Sequence, residues 1–526
     1  MLNFTRIAQK TLAGLGGATL ALSCAAQELG IPQASDADRQ TTQSRNGAGE
    51  ASAFLMASFN NTSENMLSLF SSVDGVTFTS LASDAYTPPN GLMRDPAIIR
   101  HSDGYYYVVY ATGATELGLT RSKDLKHWQF VRNVPITLPT AAPATAPEWL
   151  RDKDGSLKLI VSAAKGGAFI ITPNADFSAW SAPKRLQGLP ADYVDTVVAL
   201  TDDGYAALSR NGATALIEMA SAKSLLGPWT VGKRGDWAQW GPTSGAHSVV
   251  KLSNGHWRLY FGSRLGGSQG SSRWYSDSQD GMRTWSAAKQ LGGVSGIVSQ
   301  ASVLVEDGKA LAQATKPKGQ PKKVSWDEHS MLIDGKRIVV WSGEIHPFRL
   351  PNPSLWRDVM QKMKAVGFNG VAFYFDWGYH SSAPGVYDFS HVRNVERALE
   401  IAEEEGMYVI ARTGPYVNAE LTGGGYPGWM FRNRAEARTD DPVYLGAVDE
   451  WMTQINAIIA RHQITTGGGN VIAYQLENEL GKVEPKHVRH MDHLAKKARA
   501  DGISVPFFHN AAGRLPDWTP KDSTAP

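Results

Sequence analysis

Two pairs of carboxylates stand where a chain could use them for proton transfer. In Asn470–Gly481, read NVIAYQLENELG, an apolar and β-branched run ends in Glu477 and Glu479, separated by Asn478. A buried parallel strand reads this way, with polar residues only where it leaves the core. At the C-terminal end of a barrel strand such a carboxylate can protonate a leaving group or activate water. It can equally cap the next helix or pair with a surface Lys. The second pair is Asp95 and Asp195, each nine residues before the glycine of an Asp-Gly turn, at 104 and 204. Near the corresponding place in neighbouring repeats stand Glu148, His247 and Gln300. Convergent acids whose pKa values are separated by burial and neighbours can divide the roles of proton donor and base.

The elements that must position these groups differ in kind. Over residues 51–312 a short hydrophobic strand follows Asp-Gly or Asn-Gly four times, and the turn glycines 104, 155, 204 and 255 lie 49 to 51 residues apart. An aromatic mark keeps step at Phe78, Trp128, Trp180, Trp229 and Trp285. Asp-Gly and Asn-Gly suit tight hairpins that need positive φ. A period near 50 residues with hairpins in every unit predicts a β-propeller, and five marks predict five blades. Ala51–Phe59 is expected to supply a strand that closes the ring with the last blade.

Residues 313–324, QATKPKGQPKKV, are rich in Pro and Lys and read as a semi-stiff, solvated linker. A hairpin around Asp334-Gly335 follows, and strand and helix then alternate. Strands are expected at Ile338–Gly343, Gly370–Asp376, Met407–Arg412, Asn470–Leu476 and Val505–His509. Helices are expected from a cap at Ser354 to Gly367, at Val392–Glu405, at Val443–His462 and at Pro485–Ala500. That alternation predicts a parallel sheet of the (β/α)8 TIM-barrel kind over residues 325–526. Such a barrel takes about 250 residues, against 202 here. The expectation is a multidomain chain: a five-bladed β-propeller, then an incomplete (β/α)8 barrel, within either a fragment of a longer product or a naturally truncated chain.

Four motifs carry a resemblance. Ser342–Pro351 (SGEIHPFRLP), Phe373–Trp377 (FYFDW), Arg412–Trp429 (RTGPYVNAELTGGGYPGW) and QLENELG, in this order, resemble the family-35 glycoside hydrolases, whose typical member is a retaining β-galactosidase. The resemblance implies Glu479 as acid/base and Tyr374, Asn418, Ala419, Glu420 and Asn478 around a galactose ring. Glu477 has no role in it and is read as structural. The resemblance places the nucleophile beyond Pro526.

The N-terminal motifs LMRDPAIIR, APEW and DYVDTVVAL are similar to family-43 glycoside hydrolases, five-bladed propellers acting on arabinose- and xylose-containing glycans. That similarity implies Asp95 as general base and Asp195 as its pKa-modulating partner, with Glu148 in a substrate-side motif of non-acid role. Where the family has its general-acid Glu, this chain has Gly245-Ala246-His247. Three readings stay open: a propeller that binds glycan without cleaving it, an enzyme with a relocated acid, or a structural domain. His247 is either a cation or water ligand or a satisfied structural histidine.

Composition bounds the rest. A chain of 526 residues implies more than one domain. A net charge of +2 gives no case for nucleic acid as a partner. Carbohydrate is the expected partner, with no cofactor and no metal. Sixteen tryptophans suit either sugar-stacking faces or blade cores. Residues 1–26 read as an export signal, with Arg6 and Lys10 before the apolar Thr11–Ser23, which is too short to span a membrane. Cys24, the single cysteine, allows lipid attachment as the alternative to plain export to the periplasm or medium. Residues 27–50 are polar and aperiodic and read as a flexible leader.

Overall fold

The computed structural model describes residues 52–526 apart from 61–62, 141, 264–271, 433, 482–483, 511–517 and 519–526. The expected export signal, Cys24 and the leader lie outside the described residues.

Five four-stranded antiparallel sheets account for the repeat region. Their inner strands are β1 (Arg94–Arg100), β2 (Thr145–Arg151), β3 (Tyr193–Thr201), β4 (Thr243–Lys251) and β5 (Val298–Asp307). Each packs beside the next and β5 packs beside β1, so the five form a ring. Ser52–Asn60 runs antiparallel to β5, with Leu55 opposite Leu304, and is the second strand of that sheet. The two ends of the repeat region therefore share one blade. The turns after β1, β2 and β4 have their glycines at φ +83°, +81° and +83°, which explains why Gly104, Gly155 and Gly255 recur.

The second region is a five-stranded parallel sheet in the order β6 (Ser342–Ile345), β7 (Gly370–Tyr374), β8 (Tyr408–Arg412), β9 (Val471–Gln475) and β10 (Phe507–Phe508). Helices α1 (Pro353–Ala365), α2 (Val395–Glu404), α3 (Pro442–Arg461) and α4 (Pro485–Ala500) alternate with the strands. Their apolar faces and the sheet share one core that includes Trp356, Phe373, Trp377, Leu399, Trp451, Val471 and Leu494.

Several boundaries differ from the sequence reading, each for a local reason. Asn352, not Ser354, caps α1: its Oδ1 accepts from Ser354 N at 2.9 Å, and Pro353 takes the first helical position. Helix α2 starts at Val395 because Asn394 caps it, accepting from Arg397 N at 3.0 Å. Strand β6 begins only at Ser342. The Asn369 side chain takes Trp341 N at 2.7 Å and gives to Val339 O at 2.7 Å, occupying groups a ladder would use. Lys336–Ile338 instead completes a three-stranded antiparallel sheet with Val324–Trp326 and Met331–Ile333.

The Pro/Lys stretch is also more tied than a solvated spacer. Gly308–Ala314 is helical, capped by Asp307. Gly319 N and Lys322 N donate to Gly467 O and Ile464 O at 3.1 and 3.0 Å. The two regions meet directly: Asn60 Nδ2 donates to Ser390 Oγ (2.7 Å), His391 N to Asp84 Oδ2 (2.7 Å), and Gln454 Nε2 to Phe78 O (3.0 Å).

Candidate active site

At the strand-end site, β9 delivers Gln475 into the core and then bends. Glu477 and Glu479 both take left-handed backbone, φ +63° and +52°. Such φ values in non-glycine residues persist only where the surroundings enforce them. Here Glu477 is fully buried and clamped. Arg438 Nε and Nη2 donate to its two carboxylate oxygens at 3.1 and 2.6 Å, and Asn478 N donates at 2.8 Å. His490 Nε2 stands 3.4 Å away. Burying a carboxylate is tolerated because a guanidinium pairs with it bidentately. The clamp turns Glu479 outward, where its side chain is exposed.

Asn478 is the junction of the site. Its Oδ1 accepts from Arg412 Nη2 (3.0 Å), Asn510 Nδ2 (3.1 Å), Gln475 Nε2 (3.4 Å) and Tyr374 Oη (3.5 Å). The Arg412 guanidinium lies 3.9 Å from the Tyr374 ring centroid and pairs with Glu344 at the end of β6. Burial is the main cause that raises the Tyr374 phenol above its ordinary value; Glu344 and Glu479 add to it, and Arg412 opposes.

The loop after β8 carries three consecutive left-handed residues, Asn418, Ala419 and Glu420, at φ +53°, +47° and +49°. Ala419 packs on Tyr374 and Val417, and its carbonyl accepts from Arg349. The loop is thus fixed beside Tyr374 and Asn478, and Glu420 is left exposed. All six residues named for this site fall in one neighbourhood at the C-terminal ends of parallel strands. Arg412 and Gln475 lay inside the quoted motifs without a role. Arg438 and Asn510 carried no sequence signal, being brought in from segments outside the motifs.

The propeller hub holds the other pair. A cavity of about 540 Å³ is lined by Asp95, Asp195, Arg210, Ser244, Gly245, Arg273 and Gln300, among others. Each of β1 to β4 has a register shift at the same place, between Arg94 and Ala97, Thr145 and Glu148, Val194 and Val197, and Ser244 and Ser248. At the shift sit Asp95, Ala146, Asp195 and Gly245, with φ of +50°, +46°, +52° and +68°. A bulge of this kind re-aims a side chain, and here it turns the two carboxylates into the hub. Asp95 Oδ2 accepts from Ala146 N at 2.8 Å, and Asp195 Oδ2 from Arg210 Nε at 2.7 Å. Burial, then the Asp195 charge, push the Asp95 carboxyl up to about 7. Arg273 is buried and lowered to about 10 by loss of solvent.

Glu148 does not line this cavity. Its Oε1 accepts from Ser302 Oγ at 3.0 Å and Ser248 Oγ at 3.3 Å. Those hydroxyls accept in turn from Ile98 N and Val303 N. The carboxyl stitches β1, β2, β4 and β5 together, and burial raises it to about 8. The substrate-side placement expected for Glu148 is therefore corrected: the bulge at Ala146 changes which side of β2 each residue takes, and Glu148 faces its neighbouring strands. His247 donates from Nε2 to Leu208 O at 2.9 Å, and burial lowers its pKa. Among the described residues no group of three or more His, Cys, Asp and Glu is placed to hold a metal ion, and no helix is long and apolar enough to cross a membrane.

Residues 330–523 match the family model of glycosyl hydrolases family 35. Over 202 residues the chain is 46% identical to a probable β-galactosidase A of Aspergillus fumigatus, covering 38% of this chain and 20% of the relative. Over 195 residues it is 43% identical to a β-galactosidase of Aspergillus niger, covering 36% and 19%. The chain thus spans about a fifth of the length of these curated relatives. Among solved structures, an α-L-arabinanase of Cellvibrio cellulosa overlaps 46% of this chain and 93% of its own at 17% identity and a TM-score of 0.35. An exo-β-1,3-galactanase of Clostridium thermocellum overlaps 48% and 63% at 13% identity and a TM-score of 0.38.

Proposed function

We propose that the strand-end site belongs to a β-galactosidase-type glycoside hydrolase that cleaves terminal β-galactosides with retention, and that Glu479 is its acid/base. The observation that carries this is the clamp on Glu477, which presents Glu479 at the end of β9 beside Asn478, inside the stretch that matches family 35. In this scheme Glu479 protonates the glycosidic oxygen as the bond breaks and then takes a proton from the incoming water. Tyr374, Asn418, the Ala419 backbone, Glu420 and Asn478 hold the sugar hydroxyls. A second carboxylate must attack the anomeric carbon from about 5–5.5 Å away. Glu344 is tied to Arg412, and Glu420 sits on the hydroxyl-holding loop, so neither takes that role here.

The test compares Glu479→Gln with its parent, each within a protein that supplies the second carboxylate, on lactose and on an activated aryl β-galactoside. Loss of a positioned acid should lower lactose turnover about 10²–10⁴-fold, and cleavage of the activated substrate less. Parental turnover of lactose by the variant rules out the assignment.

A second reading concerns the hub, and the cavity with two inward carboxylates favours it. We infer that the hub binds a glycan of arabinose or xylose units. Gly245 and Ser244 stand in the cavity wall on the β4 side, and neither can donate a proton as a carboxylic acid does. This lack of a carboxylic acid on the β4 side supports a reading of binding without cleavage. Affinity gels with arabinoxylan should show retardation that Asp195→Asn weakens; cleavage of an aryl α-arabinofuranoside would instead point to a relocated acid. Export through residues 1–26 completes the proposal, with Cys24 lipidation as the variant form.

A further inference from the structure

The aromatic mark of the repeat is tethered in the same way in three sheets. Trp128 Nε1 donates to Leu125 O at 3.0 Å, Trp180 Nε1 to Phe177 O at 3.2 Å, and Trp229 Nε1 to Leu225 O at 3.0 Å. The turns before Trp128, Trp180 and Trp285 match, with Leu125, Phe177 and Met282 at φ +61°, +58° and +73°. Yet Trp285 does not make the tether, and its Nε1 is buried without a partner among the described residues. Its ring instead meets Trp240 edge-on, with centroids 5.6 Å apart and planes at 76°. Trp237 meets Trp240 from another side at 5.4 Å and 64°. Trp240 is fully buried; Trp237, Trp274 and Trp285 are half-buried and pack in the same cluster.

These three indoles line a cleft of about 630 Å³ on the flank of the β4 sheet, with Lys233, Gln239 and Arg283 among the other lining residues. Trp237 and Trp274 are held by their ring nitrogens, which donate to Ile217 O (3.0 Å) and Ser263 O (3.3 Å). Among the described residues no carboxylate lines the cleft. Lys233 and Gln239 are exposed, and no side-chain hydrogen bond to the protein engages either among the described residues. None of these residues lines the hub cavity.

We propose that this cleft is a second glycan-binding site, separate from the hub and from the strand-end site, and that it takes neutral pyranose oligosaccharides. A pyranose ring has apolar C–H faces and a rim of hydroxyls. Broad half-buried indoles match the faces, and the Gln239 amide and the Lys233 ammonium, which lies 5.6 Å from the Trp237 ring centroid, match the hydroxyls, the usual pairing of an apolar wall with few polar groups that fix orientation. The absence of a carboxylate from the wall disfavours a cationic ligand. The inference does not depend on either catalytic assignment.

Affinity electrophoresis of the whole chain in gels containing β-1,4-xylan, β-1,4-galactan or polygalacturonate tests it, in an Asp195→Asn background that weakens the hub. At least one neutral polymer should retard the chain. Trp237→Ala should weaken that retardation at least tenfold, and Lys233→Ala/Gln239→Ala, both at exposed positions, at least threefold with an unchanged melting temperature. Retardation by polygalacturonate alone, by no polymer, or by a neutral polymer but undiminished in the Lys233→Ala/Gln239→Ala variant would overturn the proposal.

Discussion

Arg438→Met tests whether the clamp on Glu477 holds the strand-end site. Arg438 makes both bonds of the buried pair, gives Nη2 to Asn478 O at 2.5 Å, and lies 4.1 Å from the Tyr416 ring centroid. Methionine keeps much of the apolar stem but removes the charge. Glu477 is then a carboxylate with 1% exposure that has lost its guanidinium and keeps only the Asn478 amide and the His490 ring beside it. Removing one member of a buried pair costs about 3–5 kcal/mol. Arg438 keeps 22% of its side chain exposed, so water can approach from its side and the lower end, about 3 kcal/mol, is expected. In a region of this size that lowers the melting temperature by about 6–12 °C. The double variant Arg438→Met/Glu477→Gln removes the stranded charge and should recover more than half of the loss. Differential scanning calorimetry of the parent, both single variants and the double variant gives the coupling directly. A single variant within about 1 kcal/mol of the parent, or losses that simply add, would refute the clamp as the source of the bend at Glu477 and Glu479.

Two further outcomes follow from the hub. Glu148, raised to about 8 by burial, keeps its proton in the folded chain where the unfolded chain has lost it. Folding stability therefore falls as pH rises from about 4.5 towards 8, by up to about 1.4 kcal/mol per pH unit for this group; Asp95, raised to about 7, acts in the same direction up to its own value. Glu148→Gln mimics the protonated acid and should flatten that slope in denaturant titrations at pH 5 and pH 8; an unchanged slope would place the titration elsewhere. Gly245→Ala puts a Cβ 2.5 Å from Gln300 Cγ at a φ of +68°, so it should cost about 1–2 kcal/mol from the backbone alone and displace Gln300, read as a lower denaturant midpoint; an unchanged midpoint would mean that the bend at β4 relaxes.

What the sequence made legible was periodic or local. The Asp-Gly and Asn-Gly spacing announced the blade turns, and the alternation from Gly370 onward announced a parallel sheet with helices between its strands. Side-chain direction next to a bulge was not legible, because one extra residue reverses the parity that decides which face a strand residue takes. Glu148 was misplaced for that reason. Arg438 was hidden differently: it lies in RNRAEARTDD, a charge-rich run that reads as a solvated face, and only the fold carries it 39 positions forward to Glu477. The Pro/Lys stretch read as a spacer because composition reports solvation, whereas its bonds to Gly467 and Ile464 are made by backbone amides that every sequence possesses.

The left-handed bend shared by four inner strands has a consequence for how such a ring changes over time. Ala146 and Gly245 occupy the bend as fully as Asp95 and Asp195 do, so the backbone geometry does not depend on what the side chain offers. The hub behaves as a set of equivalent sockets on a common frame. At the Asp95, Ala146 and Asp195 sockets a single codon can install or delete a carboxylate while the ladder, the turns and the neighbouring blades keep their register; at Gly245 the close approach of Gln300 opposes it. Rings that carry a carboxylate at such a socket and rings that lack it are then neighbours in sequence space.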